Sequence, residues 1–170
     1  MRTILLASPM LLAGCVGLGA PDIDGIYQAS MHTEDTTGCG PGVPVSGTSI
    51  FRLERVSVFG EAAYKYELCT APQPSSCLDL GLLSVRFTVP IAHGWTDNTY
   101  TATASGSSCT LTHSVSTATQ IAANELRVEF QKFRLQTTLP SGGCTRETAI
   151  AQAATLPCVS NELQVATRVP

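Results

Sequence analysis

The chain has 170 residues, 44% of them hydrophobic, 14% charged and 6% aromatic, with 10 basic against 13 acidic side chains and a net charge of −3. That length allows one domain with a real core and excludes two comfortable ones, and so low a charge density with abundant Thr and Val favours strands and turns over surface helices. No basic patch is present, which argues against nucleic acid as a partner.

The chain begins MRTILLASPMLLAGC. Arg2 supplies a positive charge, Ile4 to Leu12 form a short, mostly apolar run, and Leu12-Ala13-Gly14-Cys15 closes it with small residues before a cysteine. A charged start, a brief apolar centre and a small-residue cleavage site describe a secretory signal. The run is too short to cross a bilayer, which takes about 20 residues. The tetrapeptide resembles the lipobox of bacterial lipoproteins. That resemblance implies a signal peptide at 1–14, lipidation of Cys15 as the mature first residue, and attachment to a membrane through acyl chains. Val16 follows the cysteine; by resemblance to enterobacterial sorting, the absence of Asp there implies the outer membrane (periplasmic face or cell surface) rather than the inner one. Residues 15–24 then form a lipidated cysteine and short tether, and 25–170 a single β domain.

With Cys15 set aside, Cys39, Cys69, Cys77, Cys109, Cys144 and Cys158 remain. An even number in an exported domain reads as three disulfides. Six cysteines allow many pairings; the short closures Cys69–Cys77 and Cys144–Cys158 are favoured, leaving Cys39–Cys109 by exclusion. No CxxC or finger-like Cys/His spacing marks a metal site, and no cofactor motif is present.

In chain order, Ile26 to Met31 reads as a first strand and Thr33 to Gly47 as a long loop pinned by Cys39. His32, beside Glu34 and Asp35, reads as part of a solvated loop edge. Ser49 to Phe59 is a second strand whose apolar residues change parity between Leu53 and Val56, which predicts a β-bulge at Glu54-Arg55. Phe59-Gly60-Glu61 turns the chain, and Tyr64, Tyr66 and Leu68 alternate with charged residues on the returning strand. Thr70 to Ser76 is a breaker-rich loop. Leu83, Val85, Phe87 and Val89 form a strand with one wet face, and Pro90 to Asn98 reads as loop. Tyr100, Ala102 and Ala104 go out and Cys109, Leu111, His113 and Val115 return. Leu126, Val128 and Phe130 lead the longest strand, and a second parity change at Gln131-Lys132 predicts a second bulge. Thr145 to Thr155 suits a short helix stopped by Pro157, and Leu163 to Val169 is a terminal strand. The sum is an all-β antiparallel meander of about eight strands, closed as a barrel or folded as a two-sheet sandwich, with one helix near 145–155. An opening Gly25-Ile26-Tyr27 before up-and-down strands resembles small lipocalin-like β-barrel lipoproteins, with Tyr27 where that family usually carries Trp.

Chemistry is sparse. His93 and Asp97 flank the only tryptophan, Trp95, and a histidine near a carboxylate suits a general base. No nucleophile elbow or metalloprotease helix accompanies them, so Trp95 capping the core in a Pro/Gly-shaped loop is the simpler reading. His113 reads as a core or barrel-lining histidine, and Tyr64, Tyr66, Trp95 and His113 are candidate pocket-lining residues. The chain therefore reads as a membrane-anchored, extracytoplasmic binding or envelope-interaction module without an evident catalytic centre. Its partners would be the membrane and either an envelope protein or a small apolar ligand held as a lipocalin-like carrier holds one. A hydrolase centred on His93 and Asp97 is the rival from another class.

Overall fold

The computed structural model describes residues 19–170. The leader, the lipobox and Cys15 lie outside the described residues. Ten strands and one helix follow in order: β1 (Gly25–Asp35), β2 (Val43–Pro44), β3 (Ile50–Val58), β4 (Glu61–Cys69), β5 (Arg86–Phe87), β6 (Val89–Ile91), β7 (Gly94–Ser105), β8 (Ser108–Ala122), β9 (Glu125–Thr138), α1 (Arg146–Gln152) and β10 (Cys158–Arg168). All pairings are antiparallel, in the order β5-β4-β3-β1-β10-β9-β8-β7-β6, with β2 beside β1. The two edges of this sheet, β5 and β6, are separated in sequence by Thr88 alone, and the Thr88 N–H donates to the Thr96 carbonyl (3.1 Å). The sheet is thus curled into a nearly closed barrel, which removes most of its exposed edge.

The span 83–89, expected as one strand, is broken. Gly81–Leu83 is a 3₁₀ turn, and β5 and β6 flank Thr88 as opposite edges. The expected loop at Pro90 to Asn98 is instead the β6–β7 hairpin, turning at Ala92-His93. Gly94 stands here because a Cβ would run into the Ala118 carbonyl of β8. Likewise β1 continues three residues into the expected loop at 33–47, and β2 forms within it.

Neither expected bulge exists. The β3–β4 ladder runs unbroken from Ile50↔Cys69 to Val58↔Glu61, and β9 keeps continuous register with β8 through Gln131 and Lys132. The parity changes have another cause: the long strands bury opposite faces at different heights. Low in the barrel, Trp95, Ala118, Leu126 and Val128 face inward with Tyr27, Phe51, Leu53, Tyr64 and Phe87. Higher up, β7, β8 and β9 extend past the barrel and turn Ala102, Leu111, Phe133 and Leu135 to the other side, where Ala149 of α1 and Leu156 cover them. In β3, Val56 and Val58 lie with Lys65, Asp79, Gly81 and Arg86 around a shallow outer hollow rather than in the core.

Real bulges occur elsewhere. Register shifts at Ser30 in β1, at Val159 in β10 and at Ile121 in β8. None carries an apolar signature that alternation could reveal.

Helix α1 lies where Ala, Glu and Gln content placed it. Thr145 caps it, its hydroxyl accepting from the Thr148 N–H at 3.2 Å, which satisfies one orphan donor of the first turn. Three disulfides form: Cys39–Cys158, Cys69–Cys77 and Cys109–Cys144. The second is as expected, whereas Cys144–Cys158 and Cys39–Cys109 are not made. The helix carries Cys144 onto β8 at Cys109, and β1–β10 pairing of Asp35 with Asn161 hangs the loop bearing Cys39 over the start of β10.

Candidate functional site: the upper mouth of the barrel

The barrel has unequal ends. At the lower end, where β1 begins, residues 21–24 plug the opening. Ile23 is buried, the Trp95 indole donates to the Pro21 carbonyl (2.8 Å), and the Tyr64 hydroxyl donates to Asp22 (2.8 Å). Burial, then this bond to the Asp22 carboxylate, pushes the Tyr64 hydroxyl up to about 12. Asp22 is itself held below the usual carboxylate range by the Asp24 N–H and the Tyr64 hydroxyl. Above this plug an aromatic ladder fills the interior: Tyr27 stacks on Phe51 (5.5 Å between centroids), Phe51 on Tyr66 (5.0 Å), and Tyr66 meets Phe130 edge-on (5.1 Å). Such pairs add to the area buried by each ring. The interior is therefore packed at its lower end.

The upper mouth is open. A cleft of about 390 Å³ lies there, within the size range of small-molecule sites. Tyr66, Leu68, Val85 and Phe130 give it apolar surface and Glu34, Glu162, Ser114 and Ser116 polar surface, with Lys132 at its edge. Beneath it, fully buried Gln164 donates through Nε2 to Glu162 Oε1 (2.6 Å) and to the Tyr66 hydroxyl (3.1 Å). His32 Nε2 also lies 2.9 Å from Glu162 Oε1. Desolvation raises the Tyr66 hydroxyl well above its ordinary range, so it stays a neutral donor and acceptor. Asn161 Oδ1 is buried with no hydrogen-bond partner. Asn161 lies one residue from inward-facing Glu162 and pairs with Asp35, so its side chain belongs to the opposite face of β10.

The bulge at Ser30 makes this site. Tyr27 faces inward below it, and one extra residue brings His32 and Glu34 onto the inner face above it. His32 is thus a half-buried strand residue rather than part of a loop edge. Sequence alternation missed His32 and Glu34 for this reason; it missed Glu162 because the inward face of β10 runs Glu162, Gln164, Ala166 while the apolar Leu163 and Val165 take the other face.

Of the expected lining residues, Tyr66 alone borders the cleft; Tyr64 and Trp95 pack together at the plugged end (5.0 Å between centroids). His113 is outside the barrel, stacked between Tyr100 (4.5 Å) and Phe133 (5.6 Å), with Nε2 3.0 Å from Asn98 Oδ1. It shares a face with Leu111, beyond the point where β8 turns its apolar side away from the barrel. His93 and Asp97 are not hydrogen-bonded to each other. His93 occupies the lower β6–β7 turn with φ 62°, while Asp97 accepts from the Thr88 hydroxyl (2.6 Å) and the Thr99 hydroxyl (3.4 Å) at the barrel seam. Among the described residues no three His, Cys, Asp or Glu side chains gather as a metal cluster.

A second polar group lies on the outer wall. Lys65 (9% exposed) contacts Glu67 (2.7 Å), Glu54 (2.9 Å) and Asp79 (3.2 Å), and Glu67 is only 3% exposed. These partners, Glu67 first, hold the ammonium charged far above neutrality. The segment closed by Cys69–Cys77 brings Asp79 over this group, so its role is to make a charged outer face buriable. Comparison with protein-family models, with curated proteins and with solved structures finds no match to this chain.

Proposed function

We propose that the chain is an exported lipoprotein, fastened at Cys15, whose barrel presents a ligand-binding mouth on the end away from its anchor. The observation that carries this reading is the polarity of the barrel. The tether enters at the lower end and seals it with Pro21 to Asp24, while the cleft opens at the other. The lining suits a small amphipathic molecule or exposed side chain bearing a hydrogen-bond donor or an amine. Its apolar part would lie on Tyr66, Phe130 and Val85, and its donor would face the carboxylates of Glu34 and Glu162. A packed lower interior favours such mouth-level capture over the deep apolar cup of a carrier. By resemblance to bacterial lipoproteins, the outer membrane is the proposed location.

Two measurements test this. Mass spectrometry of the purified chain should show loss of residues 1–14 and acylation at Cys15, both abolished in Cys15→Ser. Titration with dansylcadaverine, a primary alkylamine carrying an aromatic fluorophore, should enhance its fluorescence. Val85→Arg, at an exposed position on the cleft wall, should remove that response without altering thermal unfolding. No enhancement, or enhancement unchanged in Val85→Arg, would refute the cleft as a binding site.

A further inference from the structure

The β3–β4 hairpin projects from the same end of the barrel as the tether. At its tip Phe59 is fully exposed, and both turn residues have positive φ, 52° at Phe59 and 89° at Gly60. A two-residue type I′ turn demands this, and Asn or Gly meets the demand at lower cost than a bulky side chain. A large aromatic residue is therefore placed where it contributes no burial and strains the backbone. The folded domain gains nothing from it in water.

The distances fit a bilayer. Asp24 accepts from the Arg55 N–H (3.1 Å), which fixes where the tether meets the hairpin. From Arg55 the hairpin runs four more residues to Phe59, an overhang of about 13 Å at ~3.3 Å per residue. Cys15 lies six residues before Pro21, a reach of at most about 20 Å. An acylated Cys15 would thus hold the membrane within reach of the hairpin tip. The other two turns at this end, Ala92-His93 and Ala123-Asn124, carry no Asp, Glu, Lys or Arg. Glu61, just past the tip, limits entry to the turn itself.

We infer that Phe59 inserts into the interfacial layer of the bilayer that holds the acyl chains, fixing the barrel upright with its cleft facing away. This rests on lipidation at Cys15. The full acylated chain carrying Phe59→Trp, and separately Ser107→Trp at the opposite hairpin tip, would be reconstituted into phosphatidylcholine vesicles, subtracting wild-type emission from Trp95. The Phe59→Trp emission should shift to shorter wavelength, lose its quenching by aqueous iodide and gain quenching by brominated lipid, while the Ser107→Trp emission stays in water. An acylated, vesicle-bound chain whose Phe59→Trp emission remains open to iodide would overturn the insertion and leave the anchor standing. A chain with no acyl mass that fails to float with vesicles would overturn both.

Discussion

Asp35 illustrates how one side chain organises a loop that carries no regular structure. Its carboxylate accepts from the Thr37 hydroxyl (2.6 Å), the Thr37 N–H (2.8 Å) and the Gly40 N–H, shaping the turn that presents Cys39. The Thr37 hydroxyl, then the Thr37 N–H, hold its pKa below the ordinary carboxylate range. Asp79 is depressed in the same sense by the Gly81 N–H and by Lys65, and Asp22 by the plug contacts. Each therefore favours the fold when ionised. The stabilisation is complete above the unfolded carboxylate value near pH 4, and it drains away as pH falls through the lower folded values. Thermal midpoints should accordingly hold between neutrality and about pH 5 and drop steeply below about pH 4. Asp35→Asn should flatten part of that acid limb. A variant whose midpoint falls with the full wild-type slope would show that Asp35 is not among the groups driving it. Phe59 is the counter-example at this scale, a residue whose identity no contact within the domain explains.

Strands β7, β8 and β9 each serve two cores, and this division has a mechanical consequence. The upper core of Leu111, Phe133, Leu135 and Ala149 is covered by a helix of seven residues, far too short to be stable without that contact. Leu111→Ala should cost about 2–5 kcal/mol. Hydrogen exchange should then accelerate in α1 and the upper halves of these strands, while amides near Val128 keep their protection. Uniform acceleration through the barrel would mean that the two cores unfold as one. The same strands show what alternation can and cannot reveal. The hairpin of Tyr64, Tyr66 and Leu68 and the helix after Thr145 are readable because local pattern and final environment agree. A parity change is ambiguous, since either a bulge restores one buried face or a straight strand buries two. Only the position of α1, set by tertiary packing, decides between them. The true bulge at Ser30 is hidden because Tyr27, Ala29 and Met31 keep one parity across it, and β10 turns Glu162 and Gln164 inward, so the arrival of Glu34 and Glu162 at one mouth was not legible, whereas the burial of Tyr66 was.

Across the whole molecule the two ends are held by different means. The lower end is closed by two-residue turns at Phe59-Gly60, Ala92-His93 and Ala123-Asn124 and by the plug at 21–24. The upper end carries the long connections 36–49, 70–85 and 139–157, and a cysteine of each disulfide lies within or borders one of them. Cross-links thus fall where chain entropy is largest; the shortest closure, Cys69–Cys77, is made within one such connection, while Cys144 and Cys158 instead bond to Cys109 and Cys39. The bonds span 119, 35 and 8 residues for Cys39–Cys158, Cys109–Cys144 and Cys69–Cys77. On a chain-entropy view these separations correspond to about 5, 4 and 2.5 kcal/mol of destabilisation of the unfolded state. Paired Cys→Ser replacements should therefore lower the urea midpoint most for Cys39 with Cys158 and least for Cys69 with Cys77. The discriminating result is the opposite order. If losing Cys69–Cys77 does the greatest damage, the bond matters because it keeps the segment bearing Asp79 over Lys65 and Glu67, and folded-state electrostatics rather than loop closure governs the stability of the barrel wall.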